Sequence, residues 1–173
     1  VQQSGGHQQI QKQQATTAPP APTPAPRQDV VYIMGQDRRG FFASATRYYE
    51  ARFPNATFIN NLNNLSDVLT HLTTTFSDPL GNIFIISHAN EDGTLSSLRL
   101  DSADTSGGMS VIELRDALNP DSGSSSLPTV TTQVDDQTRI KIKGCDLGRN
   151  QEIVELIDQA FNGQGTVSAP THE

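Results

Sequence analysis

Short runs of β-branched and aliphatic residues alternate with segments of helical periodicity, and this alternation constrains the fold more than any other feature. Asp29–Met34 (DVVYIM), Ala56–Ile59 (ATFI), Asn82–Ser87 (NIFIIS), Arg139–Lys143 (RIKIK) and Thr166–Ala169 (TVSA) read as strands. Between the first two, Phe41, Phe42, Ala45, Tyr48, Tyr49 and Phe53 follow a helical spacing that Pro54 stops. Leu65, Val68, Leu69 and Leu72 mark a second helix, with Ser66 as its expected N-cap. Ser110-Val-Ile-Glu113 is a capping box opening a third helix, which ends before Asn119-Pro120. Asn150 caps a fourth helix carrying Ile153, Val154, Ile157, Ala160 and Phe161, closed by Asn162-Gly163. Asp121–Gln137, rich in Ser, Thr, Asp and Pro, reads as a long loop. The order β-α-β-α-β-α-β-α-β with right-handed crossovers predicts an α/β fold, a three-layer α-β-α sandwich around a mainly parallel sheet. In such sheets, ligands and chemistry gather at the carboxyl ends of the strands.

Composition divides the 173 residues in two. Residues 1–28 hold seven Gln in the first fourteen positions, and then Ala15–Pro26 with five of the ten prolines. Such a segment cannot bury enough apolar surface to offset its ordering entropy, so it is expected to be a disordered tail or linker. Residues 29–173 are long enough for one sizeable core. Of the 12 Lys and Arg, Lys12 and Arg27 lie in the tail, leaving ten against 19 acidic residues. A phosphate-backbone binder needs a basic face, so nucleic acid is not an expected partner. No apolar run approaches the length of a membrane span. The start (VQQSGGHQQ) lacks the features of a signal peptide, and a cytoplasmic location is expected. A chain running from Val1 to Thr-His-Glu173 reads as part of a larger polypeptide or assembly.

Two strands end on reactive side chains, His88 after the third and Cys145 after the fourth. If these strands are neighbours, imidazole and thiol emerge on one rim. A thiol becomes a thiolate near neutral pH through such a partner. The helix opening near Asn150 adds a weak dipole contribution. Gly144 and Gly148 flank the thiol and permit close backbone approach, and main-chain N–H groups there can form an oxyanion hole. The competing reading makes Cys145 a small buried hydrophobe and His88 an ordinary hydrogen-bonded residue.

Ile-Ile-Ser-His88-Ala-Asn-Glu-Asp-Gly93, followed by Leu98-Arg-Leu100 and the Ser110–Leu118 helix, resembles the histidine region of caspase-like (clan CD) cysteine peptidases. Ile140-Lys-Ile-Lys-Gly-Cys145-Asp-Leu-Gly148, with the next helix and Gly165-Thr-Val-Ser-Ala169, resembles their nucleophile region. The nearest subgroups are bacterial CHAT proteases and the self-processing cysteine protease domains of large bacterial toxins. The similarity runs from Asp29 to Pro170. The resemblance implies a cysteine endopeptidase in which Cys145 attacks the scissile carbonyl and His88 assists, with no third acid and no cofactor. Its substrate would be a protein or peptide. The chain departs from the pattern at Ala89, where the family has Gly, and it carries Gly144 before the cysteine, as in the toxin subgroup. Ala89, Gly93 and Gly144 are the candidate oxyanion donors.

By the same resemblance, the P1 pocket draws on Gln36–Arg39, Asp146 and Ser168–Thr171. Asp37 or Asp146 would receive a basic P1 residue, Arg38 or Arg39 an acidic one, and Ser168 would line the wall. Toxin domains of this type answer to a polyphosphorylated inositol through many Lys and Arg, which this acidic chain lacks. His7, His71 and His172 have no ligand spacing with Cys145, so no metal is expected. Glu91 and Asp92 suit a cation site or, more simply, a polar loop.

Overall fold

The computed structural model describes residues 25–37, 39–119, 121, 123 and 127–172. Five strands form one all-parallel sheet in the order β2-β1-β3-β4-β5. They are β1 (Val30–Ile33), β2 (Thr57–Ile59), β3 (Asn82–Ile86), β4 (Arg139–Lys143) and β5 (Thr166–Ser168). The helices α1 (Phe41–Arg52), α2 (Leu65–Thr75), α3 (Val111–Leu118) and α4 (Gln151–Ala160) connect them. The fold is the expected α/β sandwich. The tail expected to be disordered lies outside the described residues as far as residue 24. Folded contacts begin at Arg27, whose guanidinium grips Asp135 through two bonds of 2.6 and 2.8 Å, ahead of the expected boundary at Asp29.

The chain steps from β1 outward to β2, then returns past β1 to β3, β4 and β5. Right-handed crossovers therefore place α1 on one face and the other helices on the opposite face. Packing follows this split. Val30, Tyr32, Ile83, Ile85, Ile140 and Ile142 pack with α2, α3 and α4, whereas Val31, Ile33, Phe84 and Ile86 pack with Phe42 and Tyr49 of α1. The alternation along each strand is the ordinary period of two. The reversal at β1 leaves a crevice between the ends of β1 and β3, where doubly wound sheets bind ligands.

Local signals explain most helix ends. Ser110 and Glu113 form the expected capping box, and the Asn150 side chain accepts the Ile153 N–H. α2 is capped by Asn64, not Ser66: the Asn64 side chain accepts the Asp67 N–H at 2.8 Å. Arg99 and Leu100 carbonyls take up the Leu65 and Ser66 N–H groups, so tertiary partners satisfy the orphan donors and the helix starts two residues earlier than the local pattern indicates. Part of the 121–137 loop joins the core, with Val130, Gln133 and Val134 buried. The Gln133 amide donates to the Phe76 carbonyl at 2.8 Å. β5 stops at Ser168, short of the expected Ala169. Beyond it the Pro170 carbonyl accepts the Gly148 N–H at 2.7 Å. Among the described residues, no helix is long and apolar enough to cross a membrane.

Candidate active site

The ends of β3 and β4 set the geometry. Their register pairs Ile86 with Lys143, an offset of 57 that also separates His88 from Cys145. Continued two residues past the strands, it places imidazole and thiol at matching positions on adjacent chains. The period of two directs both toward the α1 face, together with Phe84, Ile86 and Lys141, whose Nζ lies 5.2 Å from the Phe84 ring centre. His88 and Cys145 are both exposed. The thiol makes no hydrogen bond to the imidazole.

The chains stay close beyond the last ladder bond, from the Ser87 N–H to the Lys143 carbonyl at 2.9 Å. A Cβ at Gly144 would lie 2.6 Å from the Ala89 Cβ and 3.0 Å from the Ser87 carbonyl oxygen. Glycine is therefore required there. Ladder alternation turns the Ala89 and Cys145 N–H groups into the gap between β3 and β4, and the Gly144 N–H toward β5. Neither the Ala89 nor the Cys145 N–H has a partner among the described residues. Of the candidate positions, Ala89 thus has an unbonded N–H facing the gap, as does Cys145, whereas the Gly144 N–H turns away. Gly93 donates its N–H to the Asn90 carbonyl at 3.1 Å in a turn. Its φ of +89° and the nearby Val111 methyl explain why glycine stands there.

His88 is held by the start of α1. Its ring lies 4.6 Å from that of Phe41 and 4.9 Å from that of Phe42, centre to centre. Its carbonyl accepts the Ser96 N–H at 2.8 Å. Asp37, a candidate for receiving a basic P1 residue, is instead committed to α1. Its carboxylate accepts the N–H groups of Gly40, Phe42 and Ala43 at 2.8, 3.2 and 3.2 Å. Burial pushes the Asp37 carboxyl up, but these backbone bonds and the charge of His88 outweigh it and hold it below the usual range.

Cys145 opens on a shallow pocket of about 210 Å³ lined by Phe41, Lys143, Gly144, Pro170 and His172. The segments after β1 and β5 thus contribute. Pro170 lies within the Ser168–Thr171 stretch expected to line the pocket, whereas Phe41 and His172 fall outside the expected stretches. Ser168 sits beside Lys141 in the β4–β5 register, away from the pocket. His172 was set aside for lack of a ligand spacing. Only the return of the chain after β5, fixed by the Gly148–Pro170 bond, brings it to the cysteine.

The remaining candidates lie apart. Asp146 adopts a left-handed conformation with φ of 54°, and its Oδ1 lies 3.2 Å from the Arg149 Nε. Arg149 also approaches Glu91 at 3.7 Å and donates to the Thr171 carbonyl at 3.1 Å. Asp146 therefore braces the turn after Cys145 and lines no part of the pocket. Arg38 lies outside the described residues. Asp92 accepts the Thr94 N–H, and its carbonyl accepts from the Asn150 amide, tying the His88 loop to the start of α4. The turn of 3₁₀ helix at Leu147–Arg149 separates Cys145 from the α4 N-terminus, so the dipole contribution read from sequence acts from farther away. Among the described residues, no group of three His, Cys, Asp or Glu side chains is placed to hold a metal ion.

Fold and site together define a parallel α/β sandwich carrying a thiol and an imidazole at the carboxyl rim of its two central strands. The chain matches no protein-family model, no curated protein and no solved structure.

Proposed function

We propose that this chain is a cysteine endopeptidase of the caspase-like type, related to the bacterial CHAT proteases, and that it works on a protein or peptide substrate, with self-processing or activation inside a larger protein included. The matched placement of His88 and Cys145 on adjacent strand ends, facing the same side, carries this reading. The Cys145 thiolate attacks the scissile carbonyl carbon, forming the C–S bond as the carbonyl electron pair moves to oxygen. The Ala89 and Cys145 N–H groups receive that oxyanion. When the tetrahedral intermediate collapses, the C–N bond breaks and His88 gives its proton to the departing amine. Water then attacks the thioester, His88 takes the water's proton, and the C–S bond breaks to release the acid and restore the thiolate beside a protonated His88. The chemistry needs no cofactor. The pocket beside Cys145 favours a small apolar P1 side chain, because Phe41 and Pro170 form its walls and both carboxylates considered for it are engaged elsewhere.

Cleavage of a peptide library tests the proposal. Cys145→Ala should abolish hydrolysis, and His88→Ala should lower kcat/KM by about 10²–10⁴-fold, the usual contribution of a general acid–base. His172→Ala should retain most of the activity; loss equal to that of His88→Ala would make His172 the catalytic imidazole. A wild-type protein that cleaves nothing, and whose Cys145 resists a thiol-directed activity probe, would sink the assignment.

The missing hydrogen bond between thiol and imidazole favours a second reading, a catalytically inactive interaction module of the same fold. Alkylation of Cys145 separates the two. In an inactive module the rate would follow an ordinary exposed thiol and be indifferent to His88→Ala.

A further inference from the structure

Parallel sheets are normally covered on both faces, yet α1 covers only β1, β2 and β3 on its side. Among the described residues, nothing covers that face over β4 and β5. Its side chains are Arg139, Lys141 and Lys143 from β4, with Thr166 and Ser168 from β5. Arg139 and Lys143 are exposed and Lys141 is half-buried. The flank of α1 bordering the face carries two exposed aromatic rings, Phe41 and Tyr48, at 37% and 61%.

The charges of this face run against the rest of the molecule. The chain has a net charge of −7, and three of its other cations form ion pairs: Arg27 with Asp135, Arg115 with Glu152, Arg149 with Asp146 and Glu91. Arg139, Lys141 and Lys143 have no ion-pair partner among the described residues. A face left only to water is served as well by Thr or Gln at such positions, without three like charges along one strand. The row is also continuous with the candidate site, since Lys143 borders the Cys145 pocket.

We propose that this open face is a docking surface for an acidic, extended segment of the protein that is cleaved, away from the scissile bond; the identity of the occupant as substrate rests on the peptidase reading. Alternate residues of a strand lie about 6.6 Å apart. An extended segment with a carboxylate at every second residue therefore repeats in step with Arg139, Lys141 and Lys143. The Phe41 and Tyr48 rings supply an apolar edge for the side chains between. A nucleic acid is the disfavoured occupant, because three cations on a strongly acidic molecule make a poor phosphate track.

The test is binding of a fluorescein-labelled twelve-residue peptide of alternating Glu and Thr to the Cys145→Ala protein, read by fluorescence anisotropy. The expected result is binding at least tenfold tighter than that of the Gln-Thr analogue, weakening as salt is raised. Arg139→Glu with Lys141→Glu should weaken it at least tenfold while the thermal melt stays cooperative. Equal binding of both peptides overturns the proposal, as does indifference to the double variant. Tighter binding of an oligothymidylate of equal charge, lost in the double variant, also overturns it. A hydrolysis arm separates this idea from the catalytic one. Joining the acidic segment to a short cleavable peptide should raise kcat/KM for wild type but not for Arg139→Glu/Lys141→Glu, with hydrolysis of the short peptide unchanged in both. Salt-sensitive binding without hydrolysis supports the docking surface and removes the peptidase reading. Hydrolysis indifferent to the acidic segment does the reverse.

Discussion

At Gly144 a single methyl group separates two outcomes. Its Cβ would meet the Ala89 Cβ at 2.6 Å and the Ser87 carbonyl oxygen at 3.0 Å, distances at which the two chain ends must part. Gly144→Ala should therefore cost catalysis more than stability, because the displaced groups are the Ala89 and Cys145 N–H donors. A fall in kcat of at least 100-fold, the scale of one lost oxyanion donor, with a melting temperature lowered by only a few degrees, is the expected pairing. Equal loss of both would reduce the position to packing. On the opposite face, buried Tyr32 makes a 2.8 Å hydrogen bond with His71 Nδ1. Burial holds the His71 pKa below its usual value and raises that of Tyr32 well beyond its own, so both groups stay neutral and the hydroxyl donates its hydrogen bond to the ring nitrogen. A histidine with a lowered folded pKa binds more protons when unfolded. Stability is then complete above the ordinary value near 6.5 and falls as pH drops below it. Urea midpoints at pH 7.5 and 5.0 should differ in that direction, and His71→Phe should shrink the difference. Tyr32→Phe should cost about 0.5–1.5 kcal/mol at pH 7.5.

The element that governs the site is α1, although it carries none of the reacting atoms. Asp37 gathers three N–H groups at its start, which fixes Phe41 and Phe42 against His88. Asp37→Ala should lower kcat and raise KM together, since it frees the imidazole and also loosens Phe41, a wall of the Cys145 pocket. Because the Asp37 pKa is held low in the folded state, its contribution is complete above the ordinary carboxylate range near pH 4 and lost on further acidification. This role was hidden in the sequence, where an acid three residues before Gly40 reads as a loop charge. The Ser110–Glu113 capping box, by contrast, was fully legible, because both partners lie within one turn. Ser110→Ala should cost about 1 kcal/mol in a denaturant titration. Strand and helix identities were legible for the same local reason, with β4 matching residue for residue. The Asn64 cap, the buried Gln133 and the Pro170–His172 wall depend on partners far along the chain. His88 and Cys145 fall between these cases. Each was visible as a reactive residue at a strand end, and their pairing needed only neighbouring strands.

At the scale of the whole molecule, the two ends of the sheet do different work. The carboxyl rim gathers His88, Cys145 and their pocket, while the amino rim anchors the entering chain. There Arg27 holds Asp135 through two bonds, which with the Gln137 and Thr138 hydrogen bonds outweigh the upward push of burial and leave the Asp135 carboxyl well below its usual range. The Gln28 side chain donates to Thr57 at 2.8 Å, and its carbonyl accepts the Gly81 N–H at 2.9 Å. These contacts tie the entering segment to β2, to the turn before β3 and to the loop before β4. A chain starting at Asp29 should therefore melt several degrees below the full chain, and Arg27→Ala in the full chain should reproduce much of that drop. The Arg27 contribution should also fade below about pH 4, as Asp135 takes up a proton in the unfolded chain and the ion pair ceases to favour the folded one. If the Asp29 start melts with the full chain, the anchor carries no energetic weight, and the folding unit begins at β1 itself. Catalysis gives an independent reading of the same separation. The strands set the anchor and Cys145 at opposite ends of the sheet, so Arg27→Ala should leave hydrolysis of a short peptide unchanged at temperatures where the variant stays folded.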